Sequence, residues 1–185
     1  KSPQTLTAAL IKANLPLDTP TFEELTDEKE RDVKRWRWTQ KHYFDNINLT
    51  DNRMVRTPFL YQRVDNYINK MIVQHPDTIS LALDRVLKAM QPAEETYKYY
   101  LVHFVNFYAK SKIVGMDAVY VHLVKNYYEK GLAPWTEEEQ LKKMVDNANT
   151  LNPLLIGKIA PDIKMKKLNV AETLKMKDDE NEHKR

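Results

Sequence analysis

The 185 residues carry 29 basic and 26 acidic side chains, a formal net charge of +3, 42% hydrophobic residues and no cysteine. A chain of this length buries roughly 70% of the surface its unfolded form exposes, so one self-sufficient core is expected and two would be a squeeze. The missing cysteines exclude disulfides, thiolate metal sites and cysteine nucleophiles, the isolated Gly115, Gly131 and Gly157 cannot form a dinucleotide fingerprint or a P-loop, and the small mixed charge argues against a dedicated nucleic-acid binder. No apolar run approaches the ~20 residues of a membrane helix. Lys1-Ser2-Pro3-Gln4 shows no signal pattern, and an opening Lys rather than Met is what a trimmed chain would show.

In chain order, Thr21-Phe22-Glu23-Glu24 matches a capping box and predicts a long helix running to about Asn46. On that helix Val33, Trp36, Gln40, Tyr43, Phe44 and Ile47 share one face, which sends Trp36 into the core. Trp38 falls on the opposite side with Arg31, Lys34, Arg35, Lys41 and His42, and these six residues form the candidate interaction face. A Trp among cations could hold an anionic or aromatic partner or stack on its own Arg neighbours, but packing against another segment of the same protein is the favoured reading. Asp27, Glu28, Glu30 and Asp32 sit one turn away and blunt the field that nucleic acid would need. Asn48-Leu49-Thr50 matches a glycosylation acceptor but reads better as a loop or cap.

Thr57-Pro58 opens a second helix, with Phe59, Leu60, Val64, Tyr67, Ile68, Met71 and Ile72 spaced for one face. Pro76 is expected to end it and Asp77 to cap a third, carrying Ile79, Leu83, Val86, Leu87 and Met90. After the Gln91-Pro92 break, a helix from about Ala93 to Lys112 is apolar around most of its circumference. Tyr97, Tyr100, Leu101, Phe104 and Tyr108 make one stripe, and Tyr99, Val102, Val105 and Phe107 fill much of the rest, the pattern of a central buried helix. Its aromatic crowd reads as core packing before it reads as a stacking or cofactor site. Gly115 breaks the chain, Asp117 caps residues 118–130, and Gly131 closes them. Thr136-Glu137-Glu138-Glu139 is a second capping box, and its helix ends by Asn152-Pro153. Beyond Pro153 the pattern turns extended, with a short strand hinted at by Ile163, Met165 and Leu168, and residues 177–185 are almost wholly charged.

Catalytic patterns are missing. His42, His75, His103, His122 and His183 include no H-x-x-x-H pair, so no metal is predicted, and His103 and His122 read as hydrogen-bonded core or boundary residues. Ser2, Ser80 and Ser111 lie in no nucleophile motif, and the carboxylates sit in mixed runs typical of solvated helix faces. The expectation is a chain with no catalytic residue, no metal and no cofactor.

Several stretches read together resemble a known family. They are Lys41-His42-Tyr43-Phe44-Asp45-Asn46-Ile47 with Leu49-Thr50-Asp51, Arg56-Thr57-Pro58-Phe59-Leu60, the run from Ala109 through Lys110-Ser111-Lys112-Ile113-Val114-Gly115-Met116-Asp117 to Tyr120, and Tyr127-Tyr128-Glu129-Lys130-Gly131. They resemble the helical domain of unknown function that precedes the thioredoxin domain in TlpA-like thiol-disulfide oxidoreductases of bacterial envelopes. Separately, Gly157, Ala160, Pro161 and Asp162, followed by Ile163, are similar to the opening of TlpA-type and peroxiredoxin-type thioredoxin domains. The chain departs from that pattern in having no cysteine, and redox chemistry needs a thiolate.

The resemblance therefore implies a non-catalytic accessory or interaction domain, facing the periplasm, whose partners are the parent's thioredoxin-like domain and its protein substrates. The alternative is an independent binding module for a peptide, a glycan or a small ligand. No nucleic acid and no membrane insertion are expected. The expected architecture is all-α, a bundle-like or loosely solenoid-like array of six or seven helices over residues 1–153. Residues 154–185 would be a linker and the start of a truncated thioredoxin-like domain, extended because sheet partners are missing.

Overall fold

The computed structural model describes residues 4–159 together with Asp162. Among them are seven α-helices and no strand, as the periodicity predicts. Thr5 opens α1 (Leu6–Ala13), its Oγ1 accepting from the Ala8 amide at 3.2 Å. Asp27 opens α2 (Glu28–His42) by accepting from the Lys29 amide at 2.9 Å. The 3₁₀ turn Asn52–Arg56 starts at Asp51, whose carboxylate takes the Arg53 amide at 3.0 Å and the Arg53 guanidinium at 2.7 Å. Proline stands in the first turn of both α3 (Pro58–Asn66) and α4 (Pro76–Met90), where its missing N–H costs nothing. A π turn, Tyr67–Met71, extends α3. The remaining helices are α5 (Glu94–Ala109), α6 (Asp117–Leu123) with a π turn at Val124–Tyr128, and α7 (Glu138–Leu151), which runs into the 3₁₀ turn Asn152–Leu154.

Several expected helix ends move. The match at Thr21 caps nothing: Phe22 has φ +54°, Leu25 donates back to its carbonyl at 3.1 Å, and α2 waits for Asp27 and ends at His42. A left-handed residue cannot sit in a right-handed first turn. Pro76 starts α4 rather than ending α3, so His75 holds the cap position and Asp77 lies inside the first turn. Asp117 is likewise the first residue of α6 and not its cap. Thr57 does precede α3, but its hydroxyl donates to the Met54 carbonyl at 2.6 Å instead of capping. At α7 the cap position falls to Glu137, one residue after Thr136, with no side-chain bond. Asn48 accepts from the Thr50 amide and hydroxyl at 3.0 and 2.6 Å, a loop turn as its composition implied.

The centre is a three-helix contact of α4, α5 and α6, each against the other two. Leu83, Leu87, Met90, Leu101, Val119 and Leu123 are fully buried there. Each such side chain contributes about 1.5–3 kcal/mol by leaving water. α7 lies on α6 and its π turn, with Ala148 buried, while α3 packs on the two short turns that flank it. The chain between α1 and α2 is held by Asn46, which donates to the Leu15 carbonyl at 3.2 Å, and the Arg53 guanidinium reaches the Gln4 carbonyl at 2.8 Å.

α2 differs from the rest in burying no residue. Its C-terminal end is tied down by the Arg85 guanidinium of α4, which donates to the Gln40 and Lys41 carbonyls, and by Gln40, which donates to the Met71 carbonyl. After α7, Leu155 tucks against the core and Ile156 lies over Gly115, where a Cβ would sit 3.3 Å from its Cδ1. With φ at +86°, Gly115 is a position only glycine fills without strain. The expected extended tail and the 154–185 unit lie outside the described residues beyond Ile159, apart from Asp162. No helix among the described residues is long and apolar enough to cross a membrane.

Candidate functional site

The face built from Arg31, Lys34, Arg35, Trp38, Lys41 and His42 does assemble along α2, but much of it is engaged by its own chain. The residue 21–25 loop folds back over it. Lys34 pairs with Glu24 at 2.8 Å and its Nζ stands 4.9 Å over the Phe22 ring. Arg31 donates to the Leu25 carbonyl at 2.8 Å and Arg35 reaches the Thr21 carbonyl at 3.4 Å. Trp38 is half-buried and stacks on the His42 ring at 4.2 Å, and His42 in turn contacts Asp45 at 2.6 Å. The prediction for Trp36 is overturned: it is 45% exposed, and Val33 beside it is exposed too. The stripe is real, since Gln40, Tyr43, Phe44 and Ile47 do turn inward, but the N-terminal part of α2 has no neighbour to bury Trp36 against.

A second arrangement lies between α3 and α5. Along α5, Tyr99, His103 and Phe107 stand one above another at intervals of four. Their rings are 6.2 and 6.3 Å apart and inclined by 2° and 29°. Tyr61 of α3 meets the His103 ring edge-on at 5.5 Å. Below them Tyr100, Phe104 and Tyr108 close the floor, and Val64, Asp65, Ile68 and Asn69 form the α3 wall, around a cleft of about 360 Å³ including its open mouth. Tyr61, Tyr99 and Phe107 are 40%, 46% and 51% exposed. The α3 wall turns through a π turn at Ile68 and Asn69, a backbone irregularity often found beside binding sites. Asn69 Nδ2 donates to Asp65 Oδ1 at 2.7 Å. Burial holds the His103 imidazole below its usual range, against the opposing pull of the Asp65 carboxylate. Burial also pushes the Tyr108 phenol on the floor up to about 12.

A third cluster is structural. Asp84 Oδ1 of α4 takes the Tyr127 hydroxyl at 2.7 Å and faces His122 Nε2 at 2.9 Å, while Asn126 Nδ2 donates to the His122 carbonyl at 3.1 Å. This joins α4 to α6 and its π turn, and places His122 as the hydrogen-bonded boundary residue its position implied. His103 is the other case: it makes ring contacts on four sides rather than a structural hydrogen bond of that kind. Removing the Asp84 carboxylate strands the buried Tyr127 hydroxyl, which costs about 1–3 kcal/mol. Asp84→Ala is therefore expected to lower the urea midpoint, and Tyr127→Phe should cost less when Asp84 is already absent. Additive losses in that double-mutant cycle would show that the two groups are not coupled.

Among the described residues no group of three or more histidines and carboxylates is placed to hold a metal ion. The family described as Domain of unknown function (DUF5106) matches residues 23–150. The chain belongs to this family. No curated protein and no solved structure matches it.

The DUF5106 match takes in α2 through all but the last residue of α7, and so contains both the basic face and the cleft. α1 and the segment after Leu151 lie outside it. In that segment Gly157 is exposed with φ +85° and Asp162 is exposed, whereas Ala160 and Pro161, the other two residues of the thioredoxin-start motif, lie outside the described residues. The cleft of the DUF5106 domain was not singled out by sequence. Its signal was present, since Tyr99, Val102 and Phe107 are in excess of the stripe that a two-neighbour helix needs.

Proposed function

We propose that this chain is a non-catalytic helical accessory domain of a TlpA-like thiol-disulfide oxidoreductase of the bacterial envelope, facing the periplasm, and that it positions the thioredoxin-like domain or that domain's substrate. The stretches running from Lys41 to Gly131, and the Gly157 to Asp162 segment that follows α7, support this by their resemblance. The observation that carries it is an uncovered apolar surface where the chain leaves α7. Ile113, Val114 and Ile156, grouped around Gly115, are 67%, 85% and 76% exposed. A domain beginning just beyond Ile159 is tethered within a few residues of this surface, so the docking surface and the tether coincide.

The test is reduction of protein and small-molecule disulfides by the full-length parent, by its isolated thioredoxin domain, and by the full-length Val114→Asp variant. The expected result is a different substrate preference for the full-length protein, shifted by Val114→Asp toward that of the isolated domain. Identical preferences in all three would defeat the positioning role.

A second reading, an independent binding module for a peptide, a glycan or a small ligand, is favoured by the open aromatic cleft between α3 and α5. That cleft is already formed by side chains of α3, its π turn and α5.

A further inference from the structure

Exposed aromatic rings are costly to leave in water, and Tyr99 and Phe107 on one helix, with the half-buried His103 between them and the exposed Tyr61 across a cleft, mark a surface built to be covered. The charge inside the cleft narrows what covers it. Asp65 is the one carboxylate among the lining residues, and no lysine or arginine lines the cleft beside it. Asn69 occupies Asp65 Oδ1, which fixes the carboxylate and leaves Oδ2 for another donor. His103 does not supply the missing cation, because burial favours its neutral form. An anion is repelled, and a neutral donor could hydrogen-bond to Oδ2 but would leave the carboxylate's charge uncompensated. A cation is attracted both by Asp65 and by the faces of the rings.

We infer that the cleft between α3 and α5 binds the guanidinium of an arginine side chain carried by an extended protein segment. A planar guanidinium stacks on rings such as Tyr61 and Phe107 while donating in the plane to a carboxylate, which a compact ammonium cannot do at once. The length of the site points to a polypeptide rather than a lone small molecule. The α5 residues that line it, from Tyr100 to Tyr108, span about 12 Å of helix at ~1.5 Å per residue, the reach of about four extended residues at ~3.3 Å each. Apolar residues flanking the arginine would cover Tyr99 and Phe107 at the two ends of the ladder. This inference deepens the second reading above and does not depend on the thioredoxin association.

The experiment titrates the full chain with a capped tetrapeptide holding one arginine between leucines, and follows both heat and backbone amide shifts. Counterparts carry citrulline or glutamate in place of arginine, and two further probes are N-acetylarginine amide and a neutral chitotetraose. The arginine peptide is expected to bind and to shift amides around residues 61–69 and 99–107. Affinity should fall about tenfold or more with citrulline, with Asp65→Asn and with Phe107→Ser. Both variants alter exposed or half-buried groups, and unchanged unfolding midpoints will verify that they fold.

Equal affinity for the arginine, citrulline and glutamate peptides overturns the inference, as does tight binding that Asp65→Asn leaves untouched. If N-acetylarginine amide binds as tightly as the peptide, the protein-segment assignment falls. If chitotetraose alone shifts the cleft amides, the arginine assignment falls while the binding-module reading stands. If no probe moves the cleft amides, both fall.

Discussion

Replacing Leu101 by Ala is expected to lower the stability of this domain by about 3 kcal/mol, within the ~2–5 kcal/mol typical of buried leucines. Leu101 sits at the middle of α5, fully buried, where that helix meets both α4 and α6. Truncation removes its transfer free energy and leaves a void that neither neighbour can close without disturbing the third helix. For a chain of this size the loss corresponds to a fall of about 6–12 °C in Tm. Val102, the next residue, faces outward and is partly exposed, so Val102→Ala should stay within about 0.5 kcal/mol of the parent. Thermal and urea unfolding of the two variants checks the contrast. Equal losses would mean that the three-helix contact is not the core.

Alkaline pH is expected to unfold the domain cooperatively. Burial pushes the phenols of Tyr108 and Tyr128 up to about 12, and raises those of Tyr100 and Tyr127 further still. At Tyr127 the Asp84 carboxylate adds to the effect, because it accepts a hydrogen bond that only the neutral phenol can donate. The direction follows from proton binding. A tyrosine whose folded pKa lies above its unfolded value of about 10 binds more protons in the folded state, so its contribution is complete below about pH 10 and is lost as pH rises beyond it. Each group removes on the order of 1 kcal/mol by pH 11, so the four together remove several kcal/mol, a large share of the stability of an ordinary domain. Circular dichroism and tyrosinate absorbance should therefore change together in one transition above about pH 10. Smooth ionisation near pH 10 with the helices intact would contradict the burial of these rings.

How much of this was legible beforehand differs from element to element. The cores of α3, α4 and α5 follow from apolar residues at steps of three and four, and the breaks at Gln91-Pro92, Gly115 and Gly131 fall where the chain does turn. Capping motifs were weaker guides. Thr21 and Thr136 both precede suitable glutamates, yet Phe22 enters the left-handed region and α7 starts one residue late. A cap is a hydrogen bond worth about 1 kcal/mol, and the packing of a loop against its neighbours outweighs it. Pro76 was ambiguous for a related reason: a proline that cannot continue one helix is suited to start the next.

The candidate surfaces show the same division. The charges along α2 were visible, and so was the expectation that another segment of the protein would meet them, but no pattern says that residues 21–25 are that segment. Trp36 and Trp38 do fall on opposite sides of α2, but Trp36 is exposed where burial is expected, while Trp38 is half-buried against the His42 ring. The period of a helix states which side chains share a face; it carries no information about whether a neighbour stands opposite that face.

By itself, then, the sequence determined that this protein is all-α, that helix follows helix across short breaks, and that the chain carries no thiol for redox chemistry. These are consequences of local spacing and composition. Only the tertiary structure decided that α4 and α6 cover one side of α5 while Tyr99, His103 and Phe107 remain open toward α3, and that Asp65 is set into the wall facing them. A helix apolar nearly all round is compatible with neighbours on every side. Which side lacks one is set by how the other helices among the described residues pack around a small core, and that is a property of the packing as a whole.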